Sequence, residues 1–293
     1  MKLALYGDYQ LGVLRDEQII DVMPALEGES YHSPQRMMEI VITEWDEISP
    51  KIEAAAERGD PQSIADVTFC PPMPRPGQLV CLAGNYLEPQ KPERGTFNAF
   101  LKSNTGVMGH RSTVVLPPAD VSWFHFEPEL AIVIGKTGEY LTEENAMETV
   151  FGYTQFIDAS ARGLPGGFFL GKSWHTFGPM GPAIVTKDEV PEPNNLKVQM
   201  HVNGELRHDL STSDMDRHIP ELLVEVTKVL RLEPGDVVST GTHHFGLKPI
   251  EDGDELVHDI ECLGPNLCVT VHDELKRPPG VNSPEDSSFP RNW

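Results

Sequence analysis

The chain reads as a mostly β protein with some α-structure: a small α+β N-terminal domain over residues 1–70, a strand-rich body over 71–273 and a flexible C-terminal tail over 274–293. Three observations carry this reading. Short apolar runs recur between Gly and Pro breaks from residue 78 onward, as strands do. Helical spacing of apolar residues is confined to a few windows. A stiff segment, Cys70-Pro71-Pro72-Met73-Pro74-Arg75-Pro76-Gly77, separates the two patterns and sets the domain boundary.

Taken in order, residues 2–6, 10–14 and 18–21 predict short strands split by Gly7-Asp8 and Arg15-Asp16. Ser33-Pro34 supplies an N-cap and a first helical residue, and Met37, Met38, Val41, Trp45 and Ile48 follow at near-helical spacing. Pro50 is expected to interrupt that helix, with a second piece running to Arg58-Gly59. Residues 131–134 and 151–157 are continuous apolar runs, the pattern of strands buried on both faces. Between them, Thr142 opens a helix with Glu143 and Glu144 in its first turn, where the helix dipole favours negative charge. Residues 220–230 predict another helix, with Leu222, Leu223, Val226, Val229 and Leu230 on its apolar face. The Pro-, Ser- and charge-rich stretch from Leu275 onward reads as the tail, and no repeat of 20–50 residues is visible.

Charge removes several function classes. With 45 acidic and 23 basic residues the net charge is −22. Nucleic acid and anionic membrane surfaces need clustered Lys and Arg, so neither is expected as a partner. No apolar stretch approaches the roughly 18 residues of a membrane span. Residues 1–6 are too short an apolar run for a signal peptide, so a cytoplasmic address is expected. Cys70, Cys81, Cys262 and Cys268 show no CxxC spacing and read as small hydrophobes in a reducing compartment.

The most informative stretch is Phe126-Glu127-Pro128-Glu129-Leu130-Ala131-Ile132-Val133-Ile134-Gly135. Residues two apart on a strand share a face, so Glu127 and Glu129 project side by side at the mouth of a buried sheet. Adjacent carboxylates repel unless a cation lies between them or one is protonated. Asp158 closes the second apolar run and offers a third oxygen. Three carboxylates without Cys or His favour a hard divalent ion, Mg²⁺ or Mn²⁺. They also leave such a site one unit negative, so an anionic substrate needs a local cation, for which Lys172 and Arg162 are the candidates.

At these residues the chain resembles the fumarylacetoacetate hydrolase family. The resemblance rests on Glu127-Pro-Glu129-Leu-Ala, on Gly152-Tyr-Thr-Gln-Phe-Ile-Asp158-Ala-Ser-Ala-Arg162, and on Gly171-Lys172-Ser-Trp-His-Thr-Phe-Gly-Pro-Met-Gly-Pro182. Val202-Asn-Gly-Glu205, Leu232-Glu-Pro-Gly-Asp-Val-Val-Ser-Thr-Gly-Thr242 and Phe100-Leu-Lys102 add to it, and together they span about residues 78 to 272. The resemblance implies a mixed β-roll or β-sandwich core, a homodimer, Mg²⁺ (or Mn²⁺) on Glu127, Glu129 and Asp158, and Lys172 near a small anionic 2-oxo-acid substrate. Tyr86, Lys102, Thr242 and His243 are then candidates for binding that substrate. The implied activity is metal-dependent hydrolysis of a carbon–carbon bond in a 2,4-dioxo acid through an enolate. The alternatives are decarboxylation, isomerisation or dehydration at the same site, and a non-catalytic binding protein ranks below them.

The sequence departs from the family in two places. Hydrolytic members carry a His and a Glu three and six residues after a loop Tyr. Here, in Gly84-Asn85-Tyr86-Leu87-Glu88-Pro89-Gln90-Lys91-Pro92-Glu93, those slots hold Pro89 and Pro92. Glu88 or Glu93 is left to replace that base, or a histidine reaching in from His125, His175, His243 or His244. Glu93 and His244, together with Lys172 and Arg162, are taken as the catalytic candidates. His243 and His244 stand where the family carries Pro-Ala-Gly beside the site. The second departure is a short, Gly-rich interval between Asp158 and Lys172, with Gly163, Gly166 and Gly167, which reshapes the pocket near Arg162.

Overall fold

The computed structural model describes residues 1–88, 93–245 and 247–278. Pro89, Pro92 and most of the expected tail lie outside the described residues. The N-terminal segment forms β1 (Lys2–Tyr6), β2 (Gln10–Arg15), β3 (Gln18–Asp21), α1 (Pro34–Thr43), α2 (Trp45–Arg58), β4 (Pro61–Ser63) and β5 (Phe69–Cys70). Ser33 caps α1, its hydroxyl accepting the Arg36 N–H at 3.2 Å. The expected break at Pro50 is not there: the chain breaks at Glu44, and Pro50 sits inside α2. Pro50 and Asp46 are both exposed. The Asp46 carbonyl that loses its helical partner therefore lies on the wet side, where water can bond it.

The body continues with β6 (Leu79–Leu82), β7 (Ala99–Leu101), β8 (Val107–Met108), β9 (Ser112–Leu116), β10 (Trp123–Ile134), α3 (Glu143–Ala146), β11 (Val150–Arg162) and α4 (Gly167–Lys172). It closes with β12 (Gly178–Pro179), β13 (Ala183–Thr186), β14 (Lys197–Val202), β15 (Glu205–Ser211), α5 (Ile219–Thr227), β16 (Val237–Ser239), β17 (Glu255–Ile260) and β18 (Leu267–Asp273). The helix expected over residues 220–230 is α5, which ends at Thr227; Val229, assigned to its apolar face, lies beyond it and is 77% exposed.

Among the described residues one sheet has eleven strands, running β4-β3-β2-β1-β13-β11-β10-β16-β6-β7 with β5 also paired to β1. The N-terminal strands thus continue the body's sheet, Leu3 lying opposite Ile184 in the antiparallel β1–β13 pair. A second sheet runs β15-β14-β17-β18-β9. Strands β10 and β11 form the centre of the large sheet and are buried along nearly their whole length, as their continuous apolar runs require. Alternation decides what each face meets. Ala131, Val133 and Phe156 pack with Met37, Met38, Val41 and Ile48 of α1 and α2. Leu130 and Ile132 face Leu222, Leu223 and Val226 of α5. Phe126, Ile157 and Ala159 join Val202, Leu256 and Val269 of the second sheet.

Gly152 shows how tightly the strands are drawn together: a Cβ there would lie 2.3 Å from the Val185 carbonyl oxygen. No helix among the described residues is long and apolar enough to cross a membrane.

Candidate metal centre and its surroundings

The register of β10 against β11 builds the site. Glu127 pairs with Asp158, Glu129 with Phe156, His125 with Ser160 and Trp123 with Arg162. In an antiparallel pair directly opposed residues share a face, and so do residues two apart. Trp123, His125, Glu127, Glu129, Phe156, Asp158, Ser160 and Arg162 therefore all lie on one side. The same face that is apolar at Ala131 and Val133 turns carboxylate-bearing as β10 approaches its start. Glu127, Glu129 and Asp158 are buried and present oxygens within 4.8 Å of one another.

Three cations, from beyond β7, from α4 and from the end of β11 itself, converge on these oxygens. Lys102, just past β7, donates to Asp158 Oδ1 at 2.6 Å and to the Ala159 carbonyl at 3.1 Å. Lys172, the last residue of α4, bonds both Glu127 Oε2 and Asp158 Oδ2. Arg162, ending β11, bonds Glu127 Oε1. Ser160 donates to Glu127 Oε2 at 2.9 Å. Among the described residues Glu129 makes no ion pair; its Oε2 accepts from Ser239 Oγ and, at 3.2 Å, from the Gly241 N–H. Gly241 has φ of +82° and a Cβ there would sit 3.1 Å from the Leu82 carbonyl, so the close approach of this loop to Glu129 calls for glycine.

The protonation pattern follows from these contacts. Burial opposes ionisation of Glu127, but Arg162 and Lys172 overcome it and hold its carboxyl well below the usual range. For Glu129, burial and then the charges of Asp158 and Glu127 push the carboxyl well above it. Burial works against the Lys172 ammonium, yet Asp158 and Glu127 raise its pKa. Burial and its neighbours' charge thus disfavour the ionised form of Glu129, an imbalance that a divalent cation would relieve. An all-oxygen donor set of three buried carboxylates fits a hard ion of that kind.

At the edge of the cluster His244 places Nε2 3.1 Å from Glu127 Oε1 and Nδ1 3.4 Å from Glu88 Oε1. The Glu88 carboxylate also accepts the His244 backbone N–H at 2.9 Å. Burial opposes the charged imidazole, but these two carboxylates raise its pKa, and His244 in turn keeps Glu88 low despite that residue's own burial. Of the two loop acids, Glu88 and not the candidate Glu93 reaches His244. Glu93 is exposed, and no contact of the cluster among the described residues involves it.

The remaining candidates divide in the same way. Thr242 is buried with Oγ1 unpartnered among the described residues. Tyr86 is buried, its hydroxyl 3.4 Å from Thr240 Oγ1, and lies in the core against α5. His243 meets His208 rather than a carboxylate, Nδ1 lying 3.2 Å from His208 Nε2. His125 is buried on the cluster's face and its pKa is pushed down to about 3, by burial and then by the Arg162 charge. His175 is exposed. Sequence reasoning passed over Ser160, Ser239 and His208. Ser160 carried a usable signal, because it follows Asp158 by two and so shares its face; the other two carried none.

The sequence pattern of the fumarylacetoacetate hydrolase C-terminal domain matches residues 79–271, and the chain belongs to that family of enzymes. A mitochondrial oxaloacetate tautomerase of Bos taurus is 39% identical over 217 residues, 68% of this chain and 68% of the relative. A maleylpyruvate hydrolase of Aquipseudomonas alcaligenes is 32% identical over 281 residues, 90% of this chain and 97% of that protein. The crystal structure of maleylpyruvate hydrolase from Sphingobium sp. SYK-6, in complex with manganese(II) and pyruvate, matches with a TM-score of 0.84 at 30% identity, over 93% of this chain and 99% of the other. The mostly β architecture expected from the motifs is that of these relatives.

Proposed function

We propose that the chain is a divalent-metal-dependent hydrolase that cleaves the C3–C4 bond of a 2,4-dioxo acid. The observation that carries this reading is the Glu88–His244 pair set against the carboxylate cluster. It brings an imidazole and a carboxylate together from two different loops, although Pro89 and Pro92 fill the positions where a resembling dyad stands in hydrolytic members. Glu127, Glu129 and Asp158 are the residues to hold Mg²⁺ or Mn²⁺, which when bound supplies Lewis acidity to the 2-oxo-acid end of the substrate.

The chain's own residues do the rest. His244 takes a proton from water at Nε2 while Glu88 stabilises the charge at Nδ1. The hydroxide adds to the C4 carbonyl carbon. The C3–C4 bond then breaks, and its electron pair moves through C3 onto the 2-oxo oxygen, near the cations Lys172 and Arg162. His244 returns the proton to C3, and the products are a carboxylic acid and pyruvate. Lys102 holds Asp158 in place, and Thr242 offers an unpaired hydroxyl to the substrate. The family resemblance also implies a homodimer.

A second reading, keto–enol isomerisation of a 2-oxo dicarboxylic acid, is favoured by the 39% identity to an oxaloacetate tautomerase. It needs no attacking water, only a base that moves one proton between C3 and the 2-oxo oxygen. The test is to offer purified protein acetylpyruvate and oxaloacetate side by side with Mg²⁺, with an EDTA control. EDTA-sensitive release of acetate and pyruvate, reduced more by Glu88→Gln than by Glu93→Gln, supports hydrolysis. EDTA-sensitive loss of the oxaloacetate enol band without cleavage of acetylpyruvate replaces it with the tautomerase reading.

A further inference from the structure

One polar arrangement beside the cluster is not used by this mechanism. His208, on β15, is 2% exposed, and its ring meets that of His243 edge to face with centroids 4.7 Å apart. His208 Nε2 lies 3.2 Å from His243 Nδ1, whereas His208 Nδ1 is buried with no hydrogen-bond partner among the described residues. A neutral imidazole carries one proton, and a buried N–H left without an acceptor is costly. The proton of His208 therefore belongs on Nε2, where an acceptor exists, and Nδ1 is the bare nitrogen. His243 Nδ1 must then be the acceptor, which puts the proton of His243 on Nε2. Burial, followed by the neighbouring His243, pushes the His208 pKa down to about 3, and burial also lowers that of His243, so both rings are neutral near pH 7.

We infer that His243 is a specificity residue that presents a fixed Nε2–H donor to the distal carboxylate of a dicarboxylic 2-oxo-acid substrate, and that His208 is the positioning residue which locks this tautomer. The inference rests on the reading of the carboxylate cluster as a 2-oxo-acid site. His243 is half-buried and stands in the chain directly between Thr242 and His244, the latter in contact with Glu127. A donor without full charge suits this place. The neighbouring His244 gains positive charge when it takes the proton from water, and an imidazolium at His243 would be repelled by it. Neither His208 nor His243 touches the cluster carboxylates, so the pair is free to select the far end of the substrate.

The experiment has two arms. Long-range ¹H–¹⁵N spectra of histidine-labelled protein at pH 7 report the tautomer directly, and His208 and His243 should both read as neutral Nε2–H. In His208→Leu the ring of His243 loses its donor and should become a mixture of tautomers, while His208→Gln, which keeps a donor amide, should preserve Nε2–H. The second arm compares maleylpyruvate, which ends in a carboxylate, with acetylpyruvate, which ends in a methyl group, in the presence of Mg²⁺. In His208→Leu and His243→Phe the ratio of kcat/KM for maleylpyruvate to that for acetylpyruvate should fall about 10- to 100-fold, mostly through KM, as expected for loss of one hydrogen bond to a charged group. His208→Gln should restore most of it. A proton on Nδ1 of His243, or a ratio unmoved in both variants, overturns the inference. If the wild-type protein turns over neither acid, the proposed function fails, and the tautomer spectra with and without added maleylpyruvate still decide the role of the pair.

Discussion

Glu127 is the most heavily bonded group in the site, accepting from Arg162, Lys172, Ser160 and His244. Glu127→Gln keeps the shape but removes the charge that offsets two buried cations, and breaking a buried pair in this way costs about 3–5 kcal/mol. We expect Glu127→Gln to lose Mn²⁺ binding by calorimetry, to lose turnover, and to unfold at lower denaturant; retention of metal affinity would show that the ligand set is different. The three carboxylates were legible because a period of two on adjoining strands fixes who shares a face. The choice between Glu88 and Glu93 was not. Both lie in one Pro-rich loop, and only the path of that loop past β16 decides which acid meets His244.

At the scale of elements, the central hairpin makes a sharp demand. Gly152→Ala places a methyl group where the Val185 carbonyl already stands, and relieving that clash must push β13 away from β11. A loss of about 1–3 kcal/mol is expected in urea melts, with the catalytic residues untouched. A second element-level test concerns His110, which joins the two sheets: its Nδ1 accepts the Cys268 N–H of β18 at 3.2 Å, and its ring meets Phe69 of β5 edge to face. Burial and then Arg111 push its pKa down to about 4, below the value of about 6.5 in an unfolded chain. The folded state thus binds this proton more weakly, so the stabilisation is complete above pH 6.5 and is lost as pH falls towards 4. After allowance for solvent screening it amounts to about 1 kcal/mol, measured as the difference in pH dependence between wild type and His110→Gln. Helix starts were readable at this scale, since Ser33-Pro34 has a local mechanism. Helix interiors and ends were less so: Pro50 is absorbed because it sits on the wet side of α2, and Val229 keeps its helical spacing although the helix has already stopped at Thr227.

At the scale of the whole molecule the charge of −22 sets the long-range field. A dianionic substrate of the proposed kind would approach against that field, although Lys102, Arg162 and Lys172 would make the last few ångströms attractive. Salt shortens the reach of the repulsion to about 10 Å at 0.1 M, more than it weakens contacts inside a buried site. The second-order rate constant kcat/KM for maleylpyruvate should therefore rise between 20 and 300 mM KCl; a fall would mean that the local cations dominate the approach. The sequence pattern changes at the Pro-rich segment 70–77, yet a linear reading had no means of showing that the sheet passes across it. Strand pairing between residues 3 and 184 leaves no trace in local composition.

That pairing has a consequence for how the chain is made. Among the described residues strand β1 pairs with the body through β13, so during synthesis the ribosome must add about 180 further residues before Leu3 can meet Ile184. At roughly 5–20 residues per second this is a wait of order ten seconds or more, during which β1 exposes an unpaired apolar edge. The nascent N-terminal segment thus stays open to wrong pairing until β13 has been made.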